Sequence, residues 1–134
     1  MGAWGFRVFE NDGAMDFAGG VADGGGVEAI EEIFDRVLDV GGEYLEASDA
    51  EEALMAAEIV TRIKGKPGAQ ATYFNEIDGW IAKTRPAASA ALADKAKRVV
   101  ARILGENSEM VELWQESDEF DAWKADVNGL LGRL

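Results

Sequence analysis

The chain has 134 residues, which is close to the commonest length of a single domain and too short for two ordinary ones. It contains no cysteine and no histidine, which excludes disulfide bonds, thiolate and imidazole metal sites, and histidine-dependent catalytic triads. Its net charge of −13 disfavours binding to nucleic-acid phosphates and anionic membranes, so we expect neither as a partner, and we expect no cofactor.

The N-terminal stretch 2–17 is dense in glycine, aromatic and acidic residues. Asn11 or Asp12 is predicted to cap a helix, because a side-chain oxygen before a helix can accept a hydrogen bond from an orphan backbone amide. Trp4 and Phe9 are predicted to be buried aromatic anchors that pin the stretch across the domain. The sequence therefore favours a structural role for this stretch.

The carboxylates of Glu10, Asp12 and Asp16 offer an alternative role, because they supply the oxygen ligands that Mg²⁺ and Ca²⁺ prefer. Their spacing is not that of an EF-hand loop, so we assign no metal to them. If the stretch carries a binding site, its candidate residues are Trp4, Phe9, Glu10, Asn11, Asp12 and Asp16.

A glycine-rich stretch over 19–26 precedes the next helix and invites comparison with a phosphate-binding loop. No strand precedes it and no lysine follows it, and Glu28 lies where the phosphate would bind. The composition therefore predicts a flexible connector, with mobility that suits a hinge.

Two amphipathic helices follow, over 27–40 and 48–64. In the first, apolar residues recur every three or four positions and acidic residues occupy the opposite face, which is typical of a helix with one buried stripe. The second begins with a match to the capping box, in which Ser48 and Glu51 would bond each other's backbone amides. Its alanines predict a close approach to a neighbouring helix.

The rest of the chain continues at helical spacing, although the pattern over Ala69–Arg85 is weak. The predicted elements are a short helix capped by Asn75, a long basic helix over 86–104 with Pro86 in its first turn, a helix capped by Asn107 or Ser108, and a C-terminal helix over 120–134. No segment has a convincing strand pattern. The sequence predicts one all-α domain over residues 1–134, a bundle of about five to seven helices.

Charge is unevenly distributed among these helices. Residues 61–105 carry nine basic and three acidic side chains, whereas 1–60 carry two basic and fifteen acidic ones. The long basic helix is therefore predicted to lie against the acidic helices 27–40 and 48–64. A further acidic cluster, Glu43, Glu46, Asp49, Glu51 and Glu52, would suit a cation or acid–base chemistry, but a solvated charged face is the default interpretation.

The N-terminal stretch has the pattern Gly-x-Trp-Gly-x-x-x-Phe-Glu-Asn-Asp-x-Ala-x-Asp-Phe, formed by Gly2, Trp4, Gly5, residues 9–12, Ala14, Asp16 and Phe17. Further matches are Tyr-Leu-Glu-Ala at 44–47, Glu-Glu-Ala-Leu at 51–54, Ala-Glu at 57–58, Asn-Ser-Glu at 107–109, Glu-Leu-Trp at 112–114 and Trp123. With these motifs the chain resembles the small bacterial proteins grouped as family 4259 of the domains of unknown function. The resemblance implies a single-domain, mostly helical cytoplasmic protein, and it supplies no activity, substrate or catalytic residue.

Two functions from different classes are compatible with the sequence. Its small size, its charge and its scarcity of catalytic side-chain types favour a non-enzymatic protein whose acidic surface docks a basic protein partner, with an immunity- or antitoxin-like role as one instance. A homodimer is compatible with this function. The alternative is a divalent-metal hydrolase that uses Glu10, Asp12 and Asp16 or the cluster at 43–52. The first residues lack the layout of a secretory signal and no apolar run reaches membrane-spanning length, so we expect a cytoplasmic location.

Overall fold

The structure is a computed structural model that describes residues 5–68 and 74–134, and within these ranges the chain is α-helical. The helices are α1 (Asp12–Gly20), α2 (Gly26–Asp39), α3 (Ala47–Ile63), α4 (Asn75–Thr84), α5 (Ala90–Leu104), α6 (Glu109–Gln115) and α7 (Phe120–Arg133), with a π-helical turn, Val21–Gly25, between α1 and α2. The prediction of an all-α fold is confirmed.

Helix α3 is the central element, because it contacts each of the other six helices. Residues 53–62 are at most 7% exposed, including Glu58 and Arg62. Its alanines keep the helix narrow enough for neighbours to pack on every side. The sequence predicted a single buried face for this helix, and the structure shows a helix enclosed all round.

The predicted position of the basic helix is confirmed, since α5 packs against both α2 and α3. An ion pair joins α5 to α2, with 2.8 Å between Lys95 Nζ and Asp35 Oδ1. Exposed pairs of this kind each contribute about 0–1 kcal/mol. The apolar residues of α5, which are buried against its neighbours, therefore supply most of the stabilisation.

The predicted capping box at the start of α3 is wrong. The helix begins at Ala47, and the side chain of its N-cap residue, Glu46, makes no hydrogen bond to the first turn. The Ala47 amide instead donates to Glu109 Oε1 at 2.8 Å. A parallel β-bridge between Leu45 and Ser108 holds Glu109 next to the helix start. A residue distant in sequence has therefore replaced the local cap.

Because Glu109 rather than Ser48 caps α3, substitutions at these two residues should have unequal effects on stability. Glu109→Ala should lower the free energy of unfolding by about 1 kcal/mol, because it removes the acceptor of a partly buried amide. Ser48→Ala should change it by less than about 0.5 kcal/mol, since Ser48 is exposed and caps nothing. Urea unfolding of both variants measures the difference, and a larger loss for Ser48→Ala would contradict the assignment.

Three other helix starts differ from the sequence prediction. Helix α5 begins at Ala90, where Ser89 Oγ accepts from the Leu92 amide at 3.1 Å, so Pro86 lies in the link before the helix. A serine hydroxyl can accept a hydrogen bond from an unpaired backbone amide of the first turn, whereas proline only lacks the N–H group that would need a partner. Asn75 is the first residue of α4 but makes no side-chain cap, and Ser108 occupies the N-cap position of α6 without a side-chain bond.

The glycine-rich stretch, for which the composition predicts a flexible connector, has helical backbone along most of its length. Helix α1 continues to Gly20, the π-helical turn follows at once, and α2 begins at Gly26. The backbone leaves helical geometry at Gly24, whose φ of 133° is accessible to glycine and disfavoured for other residues. The stretch is thus a kinked helical corner between α1 and α2, and its role as a hinge stays a prediction.

Candidate functional site

The N-terminal stretch is anchored as predicted by an aromatic residue and a cap. Phe9 is 5% exposed, and its ring packs edge-on against Phe74 with 4.8 Å between the centroids. Asn11 is also buried, and its Oδ1 accepts from the Ala14 amide at 2.7 Å at the start of α1. The predicted burial of Trp4 falls outside the described residues.

Helix α7 holds the same stretch in place. Asp126 Oδ2 accepts from the Val8 amide at 3.0 Å, and Asp126 Oδ1 lies 3.9 Å from Arg7 Nη1. Burial raises the pKa of the Asp126 carboxyl above its ordinary value, although the Val8 amide and Arg7 oppose this rise. Glu10 Oε1 accepts from the Arg7 amide at 3.2 Å, so this candidate residue is engaged in local structure.

The structure does not bring the predicted carboxylates together. Glu10 faces Arg7, whereas Asp12 and Asp16 are exposed on α1. Across residues 5–68 and 74–134, no three acidic side chains lie close enough to hold a metal ion. The metal-dependent hydrolase stays a prediction without a site among these residues.

The acidic cluster at 43–52 also separates into different environments. Asp49 pairs with Arg36 at 3.6 Å. Glu51 packs so closely against α1 that a Cβ on Gly13 would lie 2.5 Å from its Oε2. Burial and the negative charges of Glu52, Asp12 and Glu109 raise the pKa of the Glu51 carboxyl. Glu52 faces an open groove.

This groove, which we call the corner groove, has a volume of about 500 Å³ and lies where α1, the π-helical turn, α2 and α3 meet. The side chains and glycines that line it are Gly13, Asp16, Phe17, Gly20, Val21, Ala29 and Glu52. Its apolar lining comes from Phe17, Val21 and Ala29, and its charge comes from Asp16 and Glu52. Among the described candidates of the N-terminal stretch, only Asp16 lines the groove, and Glu52 is the member of the acidic cluster at 43–52 that does so.

The two carboxylates of the corner groove have no ion-pair partner within the described part of the chain. Burial raises the pKa of the Glu52 carboxyl, and Asp49 adds to the rise, while Arg36 opposes it. Removal from water thus disfavours the ionised form of Glu52, and a cation bound beside it would favour that form. The groove combines apolar surface with two carboxylates that form no ion pair among the described residues.

Many of the protein's own cations are already engaged in its structure. Arg36 pairs with Asp49 and Arg133 lies 3.0 Å from Glu58 Oε1. Arg102 donates to backbone carbonyls rather than to a carboxylate. These three arginines therefore already have partners within the fold.

Sequence reasoning missed a buried ionic network on α3. Arg62 donates two hydrogen bonds to Asp78, at 2.9 and 2.8 Å, lies 3.5 Å from Glu58, and stacks 3.9 Å from the centre of the Phe74 ring. Burial opposes the charge of Arg62, but Asp78 and Glu58 outweigh it and raise the pKa of the guanidinium. The network supports the candidate stretch, because Phe74 lies between Arg62 and Phe9.

A signal for this network exists in the sequence. Residues 53–57 and 59–60 are all apolar, and a helix that is apolar on every side is buried on every side. Charges on such a helix must be paired inside the protein. Glu58 and Arg62, spaced four residues apart, are the pair that this rule selects.

Comparison with known proteins places the chain in one group. The sequence model of a family described as "Domain of unknown function (DUF4259)" matches residues 2–126. No curated protein and no solved structure matches the chain. Within the described ranges, no helix is both long enough and apolar enough to cross a membrane.

Proposed function

The chain belongs to the DUF4259 family, and we propose that it is a non-enzymatic binding protein that docks a basic protein partner in the corner groove. The observation that carries this proposal is that two carboxylates, Asp16 and Glu52, line a partly apolar groove and form no ion pair with any residue that the structure describes. We also propose that the protein is bacterial and cytoplasmic, as the family resemblance implies. An immunity- or antitoxin-like role is one form of such binding.

The chemistry of the groove suits a lysine or arginine side chain. Such a side chain can lay its methylene stem against Phe17 and Val21 while its charged end lies between the carboxylates. The net charge of −13 would speed the approach of a basic partner, and the groove would then select the bound orientation. Affinity should fall as salt increases, because surface charges are screened.

The test is a double substitution, Asp16→Asn with Glu52→Gln, matched to Glu116→Gln with Asp118→Asn. Both doubles remove two negative charges, and the control pair is exposed in the turn between α6 and α7, outside the groove. The probe is a short amidated peptide that alternates lysine and leucine, titrated by calorimetry at about 50 mM salt. We expect the groove double to weaken binding about fivefold or more and the control double by less than about twofold.

The stability of the groove double serves as an internal control. Because burial raises the pKa of Glu52, its ionised form lowers the stability of the folded state at neutral pH. This cost is absent below the ordinary pKa, grows between the ordinary and the folded-state pKa, and is constant above the folded-state pKa. Glu52→Gln should therefore not lower Tm at pH 7.

In the peptide titration, equal weakening by both doubles would show that net charge alone drives binding and would overturn the proposed site.

A further inference from the structure

A second surface lies where the loops at 41–46 and 105–108 meet, and we call it the loop junction. Tyr44 projects from this surface and is 50% exposed. Among the described residues, it is the one large hydrophobic side chain that is classed as exposed. Tyr44 is next in the chain to Leu45, which forms a parallel β-bridge with Ser108, so Tyr44 lies beside the 105–108 loop. Tyrosine is one of the residue types enriched among those that contribute most to binding at protein interfaces.

One guanidinium forms hydrogen bonds to both loops of the junction. Arg102 donates to the carbonyl oxygen of Gly41 at 2.9 Å, to that of Glu106 at 2.8 Å and to that of Glu43. These bonds tie the two loops to α5 from both sides. Tyr44 is thus presented on a fixed support, and a partner that binds it does not have to order these loops.

The loops are also joined to each other directly. The Leu45 amide donates to the carbonyl oxygen of Asn107 at 2.8 Å, and the Glu109 amide donates to that of Leu45 at 3.0 Å. The Asn107 side chain adds a bond to the carbonyl oxygen of Gly42 at 3.0 Å. The support of Tyr44 is therefore built from both chain segments.

An open groove of about 680 Å³ lies on the 105–108 side of the junction. Leu104 and Val111 give it apolar surface, and Glu106 and Glu112 give it negative charge. Gln115 adds an amide that can donate or accept. None of the residues that line it lines the corner groove, so the two surfaces are separate.

We infer that the loop junction is a docking surface for an arginine-bearing segment of a protein partner. A guanidinium is planar, so it can stack on the exposed ring of Tyr44 while its N–H groups donate to Glu112 or Glu106. The acidic side chains and the fixed aromatic residue make this surface complementary to such a segment. This site does not depend on the corner groove, and a partner can use either surface without the other.

A second copy of this chain is the less suitable occupant. Each copy carries a net charge of −13, so two copies repel each other over their whole surfaces. The junction itself is acidic, and an isologous contact would place like charges opposite each other. Charge complementarity therefore selects a basic segment.

The experiment is a titration of the ¹⁵N-labelled protein with two short amidated peptides, one alternating arginine with glycine and one alternating lysine with glycine. We expect the arginine peptide to shift the amide signals of residues 41–46, 105–108 and 112–115 at about 150 mM salt. We expect the lysine peptide to bind about threefold more weakly or worse. An ammonium group cannot stack flat on the Tyr44 ring, and it cannot donate a planar pair of hydrogen bonds to one carboxylate.

Variants at Tyr44 separate this docking surface from general acidity. Tyr44→Ala should weaken the arginine peptide about fivefold or more, whereas Tyr44→Phe keeps the ring and should retain most of the affinity. Asp16→Asn with Glu52→Gln, which alters only the corner groove, should leave these shifts unchanged.

Three results would overturn the inference. One is a set of shifts spread evenly over every acidic face. Another is equal binding by the wild type and Tyr44→Ala. The third is concentration-dependent broadening at 41–46 without peptide, which would assign the surface to a second copy of the chain.

Discussion

Replacing Arg62 by methionine is expected to lower the free energy of unfolding by about 3–5 kcal/mol, because the partners of a buried charge are left uncompensated. The Arg62 side chain is 3% exposed and contacts Glu58, Asp78 and the ring of Phe74. Without it, the buried Glu58 carboxylate loses one of its two arginine neighbours. For a chain of this length the loss corresponds to a decrease in Tm of about 10–20 °C.

The partners of Arg62 provide graded controls for this prediction. Asp78→Asn should cost about 1 kcal/mol, because the Asp78 side chain is 46% exposed and water can replace part of the lost bond. The double variant Arg62→Met with Glu58→Gln should cost less than the sum of the two single variants, since removing both charges leaves neither one alone. Urea unfolding of the four variants supplies their free energies of unfolding. A loss below about 1 kcal/mol for Arg62→Met would contradict the role of this network.

The helices were predictable because their information is local. Apolar residues at every third or fourth position of α2 and α5 face the core, and the side chains that are buried there are those the pattern selects. The placement of α5 against the acidic helices also followed from charge alone. These features depend on the spacing of residues within one segment or on the sum of its charges.

The helix starts were less predictable because contacts distant in sequence determine some of them. Ser48 and Glu51 have the spacing of a capping box, yet Glu109 supplies the acceptor for Ala47. That contact exists only after the loops at 41–46 and 105–108 have paired. Propensity at a helix end is worth about 1 kcal/mol, so a tertiary contact of similar strength can replace it.

In the candidate site too, the sequence predicted the local features and missed the contacts between residues distant in sequence. The sequence selected Asp16, but its grouping with Glu10 and Asp12 assumed that neighbours in sequence act together. The fold does not group these three side chains, and it places Asp16 and Glu52, from two different helices, along the same groove. The kink at Gly24 turns the chain between α1 and α2, and both helices pack against α3, which contributes Glu52 to the groove.

The second large effect is expected at Phe9, where substitution by alanine should cost about 3–5 kcal/mol. The ring is buried between the N-terminal stretch and Phe74, and its removal leaves a cavity in the core. Asp12→Ala should cost at most about 1 kcal/mol, because Asp12 is exposed and its charge only complements the helix dipole. Asn11→Ala should fall between them, at about 0.5–2 kcal/mol for the lost cap.

Phe6→Ala is the matched control for Phe9→Ala, because Phe6 is an aromatic residue of the same stretch that is only partly buried. Its cost should be less than half that of Phe9→Ala, while Phe9→Leu, which refills most of the cavity, should recover the larger part of the loss. Thermal melts and urea unfolding of the five variants rank them directly. If Asp12→Ala destabilised the protein as much as Phe9→Ala, the acidic side chain rather than the aromatic anchor would hold the N-terminal stretch. The order Phe9, Asn11, Asp12 instead identifies the stretch as one fixed by packing first and by its helix cap second.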